Sequence, residues 1–176
     1  MRKSIAQALK WYKESKSIKL MKQGDQKKSD EKGAKKVVEI QIGRAEGLKI
    51  VGKGAPIDTR GMSPFLSYDF YTFEFRSHNV QGANANFDCC RRYEVEANQQ
   101  FYRYMKNSVL TIDLIDESVD MKVPGARDYI GSCRVSLREV YEQGSIHNMF
   151  IVEDENRTQT GHLEVKIRMI DTQMMT

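Results

Sequence analysis

LEVKIRM, residues 163–169, alternates without a break: Leu163, Val165, Ile167 and Met169 fall on one side, and Glu164, Lys166 and Arg168 on the other. A period of two is that of an extended strand with one dry face and one wet face. The same period appears upstream, where Val38, Ile40 and Ile42 alternate with Glu39, Gln41 and Gly43, and again at 109–115, with Leu110, Ile112 and Leu114 inward. Further strands are predicted at 87–95, at 129–135 and, shorter, at 146–152. A long strand is expected over 65–76, but its apolar phase changes: Leu66, Tyr68 and Phe70 share one face, then Tyr71, Phe73 and Phe75 the other. A bulge or sharp bend near Phe70 is the simplest repair, because one inserted residue moves side chains across a sheet. Helical spacing interrupts the strands at 99–105 and at Leu137, Val140 and Tyr141, where Gly144 is a natural stop. Seven or eight short strands separated by turns, without alternating long helices, predict an all-β fold. The expected architecture is an antiparallel β-sandwich of about eight strands with one or two short helical insertions.

The chain has 176 residues, of which 40% are hydrophobic and 30% charged. That length and balance suit one well-cored domain plus an appendage. No stretch approaches the roughly 18 apolar residues of a spanning helix, and the opening residues MRKSIAQALKWYKESK lack the apolar core of a secretory signal. The expected location is the cytoplasm. The odd set of three cysteines, Cys89, Cys90 and Cys133, has no CxxC or His/Cys ligand spacing and reads as reduced thiols.

Charge divides the chain. Residues 1–36 hold 12 Lys and Arg against 4 Asp and Glu, a net of +8, whereas residues 37–176 hold 16 against 20, a net of −4. The expected organisation is a basic, partly helical N-terminal arm at 1–36, a folded domain at 37–170 and a tail at 171–176. Within the arm, Ile5, Ala8, Leu9 and Tyr12 recur at helical spacing, while 22–36 is a polar linker with two glycines. So short an amphipathic helix orders on a partner rather than alone. The residues expected to bind are Lys10, Lys13, Lys16, Lys19, Lys22, Lys27, Lys28, Lys35 and Lys36 as charge, with Trp11 and Tyr12 as apolar anchors. Their partner is a polyanion, and composition alone leaves nucleic acid, an anionic bilayer and an acidic protein surface open.

Catalysis is not expected. His78, His147 and His162 stand apart, and Cys89 shares a strand phase with Phe87, Tyr93 and Val95, the pattern of a core thiol. GKGAPIDTRG, residues 52–61, lacks Walker spacing. Nucleic acid is not the expected partner either, since the domain has no basic stripe with interleaved aromatics. No small-molecule substrate and no cofactor are expected.

Several segments, in order, resemble the C2 domain: IQIGRAEGLKI at 40–50 its first strand and exit, MSPFLSYDFY at 62–71 its Ser-Asp-Pro-Tyr-Val segment, and NANFDCCRRYEV at 84–95 its Asn-Pro-x-Trp/Phe-Asn-Glu segment. LTIDLIDES at 110–118 and RDYIGSCRVSL at 127–137 resemble the segment carrying the third top loop, with its Asp-x-Ile-Gly exit. FLSYDFYTFEF, NFDCCRRYEVEANQQFYRYMKNSVLTIDL and SLREVYEQG bring the resemblance closest to the ciliary RPGR-interacting (retinitis pigmentosa GTPase regulator-interacting) protein family. The resemblance implies a protein-binding domain of cilia, basal bodies or axonemes. It also implies where calcium would sit, because Asp116 and Asp128 fall at the first and last loop-three ligand positions. Ser118 occupies the second, Ser63 replaces the Asp of the first loop, and Asp58 with Asp120 are the remaining carboxylates. Two top-loop acids without opposing partners make a poor hard-cation site, so no metal is expected. The expected function is a calcium-independent structural or adaptor module of the cilium whose arm binds an acidic protein surface such as tubulin. The alternative is a phospholipid-binding C2 domain at the ciliary membrane or transition zone.

Overall fold

A computed structural model describes residues 34–51, 61–120, 122 and 127–171. The alternating segments become β1 (Lys35–Glu46), β2 (Pro64–Phe70), β3 (Phe73–Arg76), β4 (Asn86–Glu96), β5 (Val109–Asp116), β6 (Tyr129–Ser136), β7 (Ser145–Glu153) and β8 (Gln159–Asp171). The helices are α1 (Gln99–Asn107), between β4 and β5, and α2 (Leu137–Gln143), between β6 and β7. None of the described helices is long and apolar enough to cross a membrane. The strands pair antiparallel in the order β3-β2-β5-β6-β7-β8-β1-β4. The β6–β7 link is the single pair Ser132↔Glu153. There the ladder turns a corner, and the layers β3-β2-β5-β6 and β7-β8-β1-β4 face each other over one core. Leu66, Leu110, Ile112, Leu114, Cys133 and Val135 meet Val38, Ile40, Ile42, Leu163, Val165 and Ile167, all at 1% exposure or less.

The corner needs a glycine. Gly131 has φ +156, and a Cβ there would lie 2.6 Å from the Glu153 carbonyl oxygen and 2.8 Å from Thr160 Oγ1. Only a residue without a side chain lets β6 approach β7 so closely.

The expected long strand at 65–76 is two strands, not one bulged strand. Tyr71 and Thr72 form a two-residue turn, with Phe70 opposite Phe73 and Tyr68 opposite Phe75. Opposed residues of a hairpin share a face. A two-residue turn pairs even numbers with odd ones, so the apolar phase changes while Tyr68, Phe70, Phe73 and Phe75 stay on the inner side. Tyr68 and Phe75 stack at 5.0 Å between centroids. Tyr71 takes a φ of +53, rare for a bulky residue. It is held there by its N–H donating to Tyr104 Oη at 2.9 Å and by its ring lying edge-on to Phe101 at 5.6 Å.

The aromatic side of the hairpin meets the other layer through Tyr93 of β4. Its ring lies 4.9 Å from Phe73 and 5.4 Å from Phe70, and its hydroxyl is 3.0 Å from that of Tyr68. At the end where β4 stops, the Asn98 side chain caps α1 by accepting from Phe101 N–H at 2.9 Å, and Phe101 and Met105 are buried. α2 buries Leu137 and Val140 and ends at Gly144, whose φ of +81 suits the left-handed cap. The sandwich therefore has one end of loops and one end of helices. β1 begins two residues before the expected start, which places Lys35 and Lys36 in a strand. Lys10, Trp11, Tyr12, Lys13, Lys16, Lys19, Lys22, Lys27 and Lys28 lie outside the described residues.

Two substitutions test this architecture by urea unfolding. Gly131→Ala is expected to cost up to about 3 kcal/mol, since backbone and not a movable side chain opposes the new methyl. Tyr68→Phe is expected to cost about 1–2 kcal/mol by orphaning the Tyr93 hydroxyl, with Tyr93→Phe on that background adding little.

Candidate functional site

The loop end contains Asp116, only 1% exposed at the close of β5. β2 starts beside it, with Pro64 opposite Asp116. Asp116 Oδ1 accepts three hydrogen bonds: from Ser63 N–H at 2.9 Å, from Ser118 N–H at 3.0 Å and from the Ser118 hydroxyl at 2.7 Å. The Asp116 N–H donates to the Asp128 carbonyl at 2.7 Å, and the Glu117 N–H to the Ser63 carbonyl at 3.1 Å. Asp116 thus ties the loop before β2 to the loop after β5. Asp120 Oδ1 is engaged locally by the Lys122 N–H at 2.9 Å, and Asp128 meets Asp116 through its backbone. Asp58 lies outside the described residues.

Calcium, which the resemblance implies for such a loop end, needs six to eight oxygen acceptors. The two serines turn N–H and O–H donors toward the Asp116 carboxylate instead. Among the described residues no three His, Cys, Asp or Glu gather to hold a metal ion. The described side chains do not fit the ion, and they use the carboxylate as a tie between loops.

The outer face of the β7-β8-β1-β4 layer holds an arrangement that strand alternation alone does not reveal. Glu39 has the polar phase of β1, yet it is 4% exposed. Arg92 of β4 and Arg168 of β8 flank it in register. Their Nε–H groups each donate at 2.7 Å, Arg168 to Glu39 Oε1 and Arg92 to Oε2. The Arg168 hydrogen bond, with that of Arg92, holds the Glu39 carboxyl below the ordinary glutamate range against the opposing effect of burial. Around this clamp, Lys166 stands opposite both Gln41 and His147, Cys90 stands opposite Gln41, and His147 Nε2 lies 3.0 Å from Glu164 Oε1. Cations and carboxylates are interspersed on this face. Arg91 leaves on the other side of β4, its guanidinium 5.1 Å from the Phe75 ring, as strand alternation predicts for consecutive arginines.

The described titratable groups assemble no nucleophile and base. His147 meets Glu164, and His162 Nε2 lies 3.1 Å from Gln159 Nε2. All three cysteines are free thiols. Burial pushes the Cys133 thiol up to about 12 and raises that of half-buried Cys89, which keeps both protonated at neutral pH.

Two measurements test the buried carboxylates. Asp116→Ala is expected to cost about 2–3 kcal/mol and to speed amide exchange at Ser63 and Ser118, which lose their acceptor. Glu39→Gln is expected to cost about 2 kcal/mol at neutral pH. The folded carboxyl titrates below its unfolded value of about 4.3. Its contribution is therefore complete above that value and disappears as pH falls through the folded one. Unfolding curves of the parent and Glu39→Gln should converge in acid.

Comparison of the whole sequence with curated proteins gives no match. Among solved structures, the chain is similar to a C2 domain-containing protein from a putative elicitor-responsive gene, with 18% identity, TM-score 0.53, and coverage of 81% of this chain and 93% of that one. It is similar to the CC2D1B structure, with 20% identity, TM-score 0.59, and coverage of 81% of this chain and 57% of that one. A third likeness is to an extended-synaptotagmin 2 structure, with 18% identity, TM-score 0.57, and coverage of 76% of this chain and 27% of that one. The chain thus spans little more than half of CC2D1B and about a quarter of that extended-synaptotagmin 2 structure. These likenesses concern the fold. The family model for the first C2 domain of RPGR-interacting protein 1 matches residues 31–172, the whole of the sandwich and its helices. With that match over most of its length, and with eight antiparallel strands in two facing layers, the chain belongs to the C2 domain family.

Proposed function

We propose that this C2 domain is a non-catalytic, calcium-independent adaptor of the cilium, at the axoneme, the microtubule doublets or the basal body. Its basic arm binds an acidic protein surface, for which tubulin is the natural candidate. C2 domains are protein-interaction and membrane modules, and the observation that carries this reading is the separation of charge. A segment of net +8 is joined to a domain of net −4. A negative domain is repelled by an anionic leaflet, whereas a positive arm is attracted to a polyanionic lattice while the domain engages another protein. The mixed outer face around Glu39 supports a protein surface over a lipid one, because Glu39 and Glu164 stand among its cations. Calcium independence is supported by the use of Asp116 as a hydrogen-bond acceptor between loops. The ciliary setting rests on the match to the RPGR-interacting protein 1 family.

Co-sedimentation separates this reading from a phospholipid-binding one. The full chain is expected to pellet with stabilised microtubules, indifferent to calcium and less as salt rises. Reversing Lys10, Lys13, Lys16 and Lys19 to Glu is expected to abolish that pelleting and leave the thermal unfolding of the domain unchanged. Pelleting with phosphatidylserine vesicles alone, or pelleting that requires calcium, overturns the proposal.

A further inference from the structure

Ser145–Val152 of β7 reads SIHNMFIV, with no Asp, Glu, Lys, Arg, Pro or Gly. One long edge of it is unpaired. The Met169 N–H donates to the Gly144 carbonyl at 2.8 Å, and the register with β8 continues unbroken from Ser145↔Arg168 to Val152↔Gly161. Residues of an antiparallel strand turn their N–H and C=O alternately to one neighbour and to the other. The even-numbered residues of β7 therefore bond β8, and His147, Met149 and Ile151 turn their backbone groups to the opposite edge. The one pair with β6, Glu153↔Ser132, falls on that same odd-numbered side and closes its end. From Ser145 to Ile151, no strand among the described residues completes the ladder. Solvent reaches this stretch, since Ser145, His147 and Asn148 are exposed and the Ile151 side chain is 51% exposed.

Shortness or charge protects the outermost strands of the ladder from strand addition. β3 is four residues long and carries Glu74 and Arg76, and β4 carries Asp88, Arg91, Arg92, Glu94 and Glu96. β7 has one small protection: the Asn148 Oδ1 accepts the Met149 N–H at 2.8 Å, which covers one donor of the edge and leaves those of His147 and Ile151. Unbonded main-chain groups in extended geometry, with the Met149 and Ile151 side chains beside them, are complementary to another extended chain. A second copy of this chain is the poorer occupant. Two β7 strands pairing antiparallel about Asn148 displace both Asn148 caps, where a single added strand displaces one. The open stretch is also bounded, by the end of α2 at Gly144 and by β6 at Glu153, which leaves room for a strand rather than for a second sandwich. Glu153 is exposed at the closed end, so a lysine or arginine of the incoming strand is attracted there.

We propose that the free edge of β7, from Ser145 to Ile151, takes an extended segment of a partner protein as an added strand. That segment is apolar at alternate positions and carries a basic residue at the end that meets Glu153. His147, Met149 and Ile151 supply the main-chain contacts, and Met149 and Ile151 the apolar ones. The site lies wholly within the sandwich and stands apart from the acidic-surface reading of the basic N-terminal residues.

The test is a fluorescence-anisotropy titration of the full chain into a labelled peptide of alternating valine and threonine closed by a lysine at each end. Binding is expected, with slowed hydrogen exchange at the His147 and Ile151 amides. The same peptide N-methylated at two adjacent amides keeps its side chains but loses a donor on each edge, and is expected to bind about tenfold more weakly. His147→Pro removes an edge-facing N–H and leaves the ladder with β8 intact, and is expected to weaken binding about tenfold. Ile151→Lys, at a half-exposed position that tolerates the change, is expected to weaken it about threefold. Asn148→Ala uncovers the Met149 N–H and is expected to tighten binding about threefold, an effect that a folding defect does not imitate. No binding of the peptide by the parent chain overturns the proposal. So does binding that is indifferent both to N-methylation and to His147→Pro. A concentration-dependent dimer of the parent in sedimentation equilibrium, abolished by His147→Pro, overturns it in favour of a second copy on this edge.

Discussion

The sandwich is one continuous ladder bent back on itself, so its two ends must be held together by side chains. The joint is Tyr93. β3 is only four residues long and β4 lies at the far end of the strand order, so no backbone hydrogen bonds link them. The ring of Tyr93 packs on Phe70 and Phe73, and its hydroxyl meets that of Tyr68 across the layers. Tyr93 closes the seam on the side away from the β6–β7 corner, where one pair of residues meets beside Gly131, and the buried core holds the layers between the two. Arg91 covers the same seam from outside through the Phe75 ring. An inward-phased charge on an edge strand also discourages pairing with another chain.

Two carboxylates serve this frame in similar ways. Asp116 at the loop end and Glu39 on the outer face are both nearly inaccessible, and each joins segments that lie far apart in sequence. A buried carboxylate is costly unless fully hydrogen-bonded. Asp116 Oδ1 is met by backbone and hydroxyl donors, and the Glu39 oxygens by one guanidinium group each. The result is a frame whose two inner acids are occupied by donors of its own chain.

The likeness to the C2 family and the charge split address different questions. The family match over 31–172 sets the frame and the class of module. The split of charge between residues 1–36 and 37–176 is a property of the lysine distribution and not of the fold.

The alternation of apolar residues was sufficient by itself to show the all-β class and the inner faces of β1, β5 and β8, and helical spacing marked the two interruptions. Burial imposes a period of two wherever one face of a strand is dry, and that is a local property of the chain. The phase change near Phe70 was visible too, but a bulge and a two-residue turn produce the same break in pattern. Only the pairing of Tyr68 with Phe75 distinguishes them. The Glu39 clamp was invisible, since its partners lie 53 and 129 residues away and opposite charges meet only once strand register is settled. The same holds for Asp116, whose place in a ligand-like pattern is legible but whose serine donors come from two loops. The basic arm is written plainly in the sequence. That Lys36 comes to lie 5.9 Å from the Tyr102 ring was decided by the tertiary structure, because helix packing and strand register bring together residues that no local pattern relates.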